Sequence, residues 1–276
     1  MTCIFLCVAF LTDAQSLSMS IADSFLQKQQ YFEAGVFYEK VLFESSNDEI
    51  RFLAATKKIE CLKQQQKFED AIEFVNQNYH STLTSGQKCT LKYEQMICSY
   101  LSANFENAIS LSTLIEGEWP DYNGIATVSL LKILSLNELQ QWRQADSLSR
   151  IFTAKYTTTD TAGLNLYSQL PKLKNGKKAQ TLSTLLPGAG LFYAGKPLEG
   201  ITSILLQSVA AYFGIISYNQ KYYLSAWLVG LGLFGSFHNG SVRRSEILVK
   251  QYNRNEVIRF NEKVKNELIN MLRAKK

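Results

Sequence analysis

Histidine is scarce in this 276-residue chain: there are two, His80 and His238, about half a chain apart. His80 falls in a polar stretch and reads as solvent-facing; His238 ends an apolar run beside Asn239 and reads as interfacial. No H-E-x-x-H, no G-x-S-x-G and no Cys/His pair at ligand spacing occurs, so metal ligation and nucleophilic hydrolysis have no sequence basis. Cysteine is equally unhelpful to a disulfide framework. Of five, Cys3 and Cys7 lie in an apolar N-terminal segment, leaving Cys61, Cys89 and Cys98, an odd number without a C-x-x-C. Small buried thiols in helices are the expectation. Ionisable groups are missing from Gly200–Ser217 and from Tyr222–Phe237, which argues against a proton or ion pathway. Gly188, Gly195 and Lys196 loosely mimic a phosphate loop, yet Pro197 stands where Ser or Thr should hold magnesium, and no buried strand precedes it. The sequence therefore leads us to expect no catalytic residue, no cofactor, no metal and no small-molecule substrate, in a protein that is not an enzyme.

Charge is present but unevenly placed. From Lys172 onward there are sixteen Lys and Arg against five Asp and Glu, while the preceding residues hold thirteen against nineteen. A mildly acidic half thus precedes a strongly basic one that also carries the apolar runs. Basic residues flanking apolar sequence point to anionic lipid headgroups. No aromatic-plus-basic signature of nucleic-acid recognition is present, and no nucleic-acid partner is expected.

The N-terminus, MTCIFLCVAFLTDAQS, has an apolar core from Cys3 to Leu11 followed by Thr12-Asp13-Ala14. It reads as a secretory signal over residues 1–14, although it lacks a basic leading region. A buried first helix is the alternative.

Internal repetition is the strongest signal. An aromatic residue followed three positions later by alanine recurs at Tyr31/Ala34, Phe68/Ala71, Phe105/Ala108 and Trp142/Ala145, each step being 37 residues. Apolar residues spaced by three and four flank each pair. Ile21, Ala22 and Phe25 precede Phe37, Tyr38 and Val41; Ile59 and Leu62 precede Ile72 and Val75. Ile97 and Leu101 precede Ile109, Leu111 and Leu114; Leu130, Ile133 and Leu136 precede Leu148 and Phe152. The spacing predicts two helices per repeat, joined by a short polar turn, with one apolar stripe on each. One hairpin cannot bury that stripe alone, so neighbouring hairpins must stack.

At these positions the chain resembles the tetratricopeptide-repeat family, whose turn-and-contact signature is the aromatic-x-x-Ala opening the second helix. Pro120 matches the repeat-ending proline, and Ala22 the small residue expected twelve positions before Ala34. Ile59, Met96 and Ile133 are large at that equivalent place, and the period exceeds the usual ~34. The resemblance implies an all-α, TPR-like solenoid of four hairpins over residues 16–156 that holds a protein partner of unknown identity.

Residues 157–181 read as a linker with a basic collar at Lys172, Lys174, Lys177 and Lys178, within which Gly163–Leu173 has the spacing of a short amphipathic helix. A module at 182–239 follows, opening with LSTLLPGAGLFYAGKPLEG. Pro187, Gly188, Gly190, Tyr193, Gly195 and Gly200 mark a broken helix, because proline interrupts helices and glycine permits close approach and unusual backbone angles. This motif resembles a glycine-and-aromatic pattern of small bacterial membrane proteins of unassigned function. Two uncharged runs of 18 and 16 residues then read as a transmembrane hairpin, both near the short limit for a span. Tyr218, Tyr222, Tyr223 and Trp227 cluster as an interfacial belt would. Residues 240–276 read as an amphipathic basic helix through Val257, Phe260, Val264, Leu268 and Met271.

The expected setting is a bacterial inner membrane with periplasmic repeats, and the expected role that of a scaffold or adaptor. Two rivals stand beside it: a membrane-embedded assembly or envelope-biogenesis factor with regulatory repeats, and a soluble adaptor whose apolar hairpin is core.

Overall fold

The computed structural model describes residues 17–156 and 166–273, and these are all-helical with no strand among them. The signal expected at 1–14, residues 157–165 of the linker expected over 157–181, and the last three residues lie outside the described part. The chain divides into two compact units, residues 1–164 with 268–276, and residues 165–267.

The first unit is built from four helical hairpins. Helix α1 (17–27) pairs with α2 (Tyr31–Glu44), α3 (Asp48–Gln64) with α4 (Phe68–Asn78), α5 (Ser85–Leu101) with α6 (Phe105–Glu118), and α7 (Ile125–Glu138) with α8 (Trp142–Tyr156). Each of the four repeat aromatics is the first residue of the second helix in its hairpin. Each repeat alanine, Ala34, Ala71, Ala108 and Ala145, is fully buried. Between the helices, Gln29, Gln66, Ala103 and Gln140 adopt positive φ near 60°, again 37 residues apart. The residue after each donates its N–H to a carbonyl five positions back: Gln30 to Phe25, Lys67 to Leu62, Asn104 to Ser99 and Gln141 to Leu136. This left-handed cap satisfies carbonyls that a helix end otherwise leaves bare. One cap geometry thus makes all four turns.

Apolar clusters run from hairpin to hairpin. Ala22, Ala34, Tyr38 and Val41 pack with Ala54 and Cys61 of the next hairpin; Ile59, Ala71 and Val75 pack with Leu91 and Cys98. Neither cluster closes within one hairpin, as a stripe too wide for a single pair of helices requires. Polar bridges cross the same seams: Lys57 Nζ donates to Asp23 Oδ1 at 2.6 Å, where the Tyr38 hydroxyl of Asp23's own hairpin also donates at 2.6 Å, and Lys63 Nζ reaches Glu94 at 2.7 Å. Burial opposes charge on Asp23, but these donors outweigh it and hold its carboxyl below the ordinary value of 3.8.

Two stripe positions differ from expectation. Leu101, the last residue of α5, is 48 % exposed, and the buried face of that helix runs instead through Leu91, Met96 and Cys98. On α6 Leu114 is exposed and its neighbour Ile115 is buried in its place, with Ala108, Leu111 and Ser112.

The second unit begins in turns and coil over 166–175, where an amphipathic helix to Leu173 had been expected; Pro171 interrupts that spacing, and helix forms only from Gly176. Helix α9 (Gly176–Leu185), the short α10 (Ala189–Ala194) and α11 (Pro197–Asn219) follow. Among the described residues α11 is the one helix long and apolar enough to cross a membrane, and only 17 % of its most apolar window is buried. The second apolar run is not a plain helix. It comprises α12 (Tyr223–Ser225), a π-helical segment at Ala226–Leu231, and the start of α13 (Gly232–Arg273). Helix α13 continues unbroken past residue 240, so the apolar run and the amphipathic tail share one rod. Val257, Phe260, Val264, Leu268 and Met271 are all buried, and Phe260 meets Tyr167 edge-on at 5.7 Å.

Candidate functional site

The glycine motif folds into a tight corner in which its glycines stand where a side chain would clash or the backbone takes a positive φ. Pro187 leads into Gly188, which has φ +78° at the start of α10; a Cβ there would lie 2.6 Å from the Gly200 carbonyl oxygen. Gly190 is pressed on α9, where a Cβ would meet the Ala179 carbonyl oxygen at 2.1 Å, and its N–H donates to Ser183 Oγ at 3.1 Å. Gly195 ends α10 with φ +88°, and Pro197 starts α11 at the position where a missing N–H costs nothing. At Gly200 a Cβ would strike the Phe192 ring at 2.6 Å. These contacts with backbone and ring leave no room for a side chain.

Tyr193 is the motif's polar member. Its hydroxyl accepts the Asn175 N–H at 3.1 Å, at the cap of α9, where the Asn175 side chain in turn accepts from Lys178 N–H at 3.2 Å. Ala179, Leu191 and Ala194 form a buried cluster with Leu248 and Val249 of α13, with Tyr193 packed against it. The six motif residues therefore act together as a corner that fixes α9, α10 and α11.

Below that corner lies a polar group that sequence reasoning did not assemble. Gln207, only 1 % exposed, donates from Nε2 to Ser203 Oγ at 2.9 Å, and its Oε1 lies 3.2 Å from His238 Nδ1 of α13. The His238 ring stacks on Phe234, with 6.0 Å between centroids and 7° between planes. The signal available in the sequence was Gln207 itself, the strongly polar residue of an otherwise apolar run. Nearby, Arg244 grips Glu199 with two hydrogen bonds of 2.8 and 3.1 Å, beside a groove of about 460 Å³ that Thr202, Ser203, Ser236 and Ser241 also line.

Toward the turn joining α11 to α12, Gly214 and Gly230 bring the two helices into backbone contact. That turn repeats the cap of the hairpins: Lys221 has φ +67°, and Tyr222 N–H donates to the Ser217 carbonyl. Below Gly214, Tyr218, Tyr223, Trp227 and Phe234 line an apolar groove of about 570 Å³.

The repeat residues are placed apart from this corner. Tyr31, Phe68, Phe105 and Trp142 are half-buried at their hairpin turns, and Phe105 meets Tyr100 edge-on at 5.6 Å. Their role in the structure is to seat one hairpin, and they converge on no pocket. His80 is exposed, and Cys61, Cys89 and Cys98 are free and buried, as expected of thiols on a core face. No grouping of three His, Cys, Asp or Glu able to hold a metal occurs among the described residues. No family model matches the chain, and no curated protein or solved structure is significantly similar to it.

Proposed function

We propose that the chain is a membrane-anchored scaffold whose TPR-like solenoid, four stacked hairpins, holds a protein partner beside a bilayer. The observation that carries the reading is α11: twenty-three residues, apolar, and mostly uncovered by the rest of the chain. A soluble core helix of that composition would be buried, because exposed apolar area costs about 25 cal/mol per Å² in water. Leu205, Ile215, Leu224, Trp227 and Leu231 are all well exposed, which lipid accommodates and water does not. The clusters that continue from hairpin to hairpin support the solenoid. The basic excess from Lys172 onward supports contact with anionic headgroups. The setting we propose is a bacterial inner membrane, α11 and the α12–α13 start forming the spanning hairpin, with the repeats on the periplasmic side.

The test is partitioning. The full chain is expected to sediment with membranes through alkaline carbonate and to enter solution only with detergent; release as a dispersed monomer by carbonate alone would overturn the anchor. A single added cysteine at Ser81, exposed between α4 and α5, reports the side: labelling by an impermeant maleimide in spheroplasts is expected, and labelling only after lysis would reverse the topology.

A second reading, a membrane-embedded assembly factor with regulatory repeats, is favoured by one observation, the Gln207–His238 group set among apolar helices. Polar side chains at such depth are costly and tend to mark function. Replacing Lys172–Lys276 by a foreign single-span anchor separates the two: a scaffold keeps its partner, whereas an embedded factor loses its effect.

A further inference from the structure

Lys174 of the second unit has its backbone clamped and makes no ion pair among the described residues. Its backbone is held from both sides by Asn253 of α13, whose Oδ1 accepts the Lys174 N–H at 2.8 Å and whose Nδ2 donates to the Lys174 carbonyl at 2.8 Å. Its ammonium rests 3.9 Å from the Tyr252 ring centroid and 5.9 Å from that of Tyr193. Lys178, in the first turn of α9, places its ammonium 5.6 Å from the same Tyr193 ring. Neither lysine makes an ion pair among the described residues, though Glu246 lies on the facing helix; that carboxylate is taken by Gln180 and Lys250. Reciprocal hydrogen bonds fix the Lys174 backbone, and the tyrosine rings gather two ammonium groups that no carboxylate answers among the described residues. The glycine motif frames them. A Cβ on Gly195 would sit 3.5 Å from Lys174 Nζ, and Tyr193 supplies both a ring under the lysines and the acceptor for Asn175.

We infer that Lys174 and Lys178, seated on Tyr193 and Tyr252, bind the phosphate of an anionic lipid headgroup at the membrane surface. The assignment rests on the membrane reading above and deepens it. Three features select a lipid. The cations flank the end of α11 that opens the apolar helix pair, so a bound headgroup can extend its chains along exposed Leu198 and Ile201. Lysine is a point-charge phosphate ligand that tolerates varied headgroup orientation, where a bidentate arginine would demand one. Tyrosine rings at a bilayer interface keep their edges in the headgroup layer while covering the lysine stems.

The experiment uses the detergent-solubilised full chain with equal amounts of short-chain phosphatidylglycerol and phosphatidylcholine, counting retained lipids by native mass spectrometry. Preference for phosphatidylglycerol of at least about tenfold is expected, falling to within about twofold in the Lys174→Gln, Lys178→Gln double variant. The Asn253 clamp uses only the Lys174 backbone, so the double variant keeps it; far-UV circular dichroism unchanged from the wild type verifies this. Lys174→Arg retains charge and is expected to retain most of the preference. Equal retention of the two lipids by the wild type, or undiminished preference in the folded double variant, overturns the site. Complete competition by millimolar inorganic phosphate also overturns it, assigning the lysines to a free anion. Incorporation into purely zwitterionic vesicles is read separately, because it tests the anchor and not the lysines: an inserted protein without lipid preference refutes this inference alone.

Discussion

Gly214 of α11 and Gly230 of the π segment face each other so closely that a Cβ built on Gly230 would lie 2.5 Å from the Gly214 Cα. The obstacle is backbone, so no rotamer change relieves it. Gly235, four residues into α13, has nothing within 4 Å of its own virtual Cβ. Alanine is the better helix former by about 1 kcal/mol at an open helical position. Gly235→Ala is therefore expected to raise the thermal midpoint of the solubilised chain. Gly230→Ala is expected to lower it, since forced separation of packed elements costs about 1–3 kcal/mol. Equal stability of the two variants would show that the glycines do not touch.

The repeated turn makes a prediction of opposite sign. Ala103 holds φ +61° between α5 and α6, a conformation that costs an L-residue about 1–2 kcal/mol and glycine little. Ala103→Gly is expected to stabilise the first unit by about 0.5–1 kcal/mol after the greater freedom of glycine in the unfolded chain is counted. Ala103→Val adds a β-branch in the same place and is expected to destabilise it. Denaturant titration followed by circular dichroism checks both; a destabilising glycine would mean that the left-handed cap is not populated.

What was legible and what was not follows from this turn. The 37-residue aromatic-x-x-Ala register announced four hairpins because Ala34, Ala71, Ala108 and Ala145 are each fully buried one turn into the second helix of a hairpin. The caps at Gln29, Gln66, Ala103 and Gln140 were invisible because glycine, the usual signal, is absent from all four. The motif Pro187–Gly200 was readable as a break, since two of its glycines sit at positive φ and the others sit against backbone or ring. The π segment was not readable. It lies where Gly230 packs on the Gly214 backbone of α11, a tertiary contact that leaves no local trace. Likewise Gln207 and His238 stood 31 positions apart, and only the hairpin's register brings them together.

The buried thiols tie stability to pH. Burial pushes Cys61 and Cys98 up to about 11 from the ordinary 9.0, with Glu60 and Glu94 respectively adding to the effect. The folded state thus retains protons that the unfolded state releases above pH 9. Their contribution is fully present below that value and is lost as pH rises toward 11. At pH 8 a disulfide reagent is expected to leave Cys61, Cys89 and Cys98 unmodified in the folded chain and to modify them rapidly after denaturation, the modified positions being read by peptide mapping. Rapid labelling of the folded chain at any of these three would place that thiol at the surface.

The Gln207–His238 contact predicts a measurable coupling. Gln207→Leu removes the acceptor for the His238 ring and also strands Ser203; His238→Phe keeps the stack on Phe234 but deletes the ring nitrogen. If the two side chains act as a pair, the second substitution costs less once the first is made. Hydrogen bonds between helices in lipid contribute about 0.6 kcal/mol on average and rarely more than about 1.7. A double-mutant cycle on thermal unfolding in lipid nanodiscs is expected to give a coupling of that size. Strict additivity would mean that Gln207 is satisfied by Ser203 alone and that His238 faces the bilayer surface independently. Because Gln207 is the one fully buried long polar side chain of α11, Gln207→Leu alone leaves Ser203 and His238 without their partner and is expected to lower the thermal midpoint. A folded Q207L chain that no longer supports partner retention would make the polar group a working part of the embedded unit; full retention would leave it a register pin between α11 and α13.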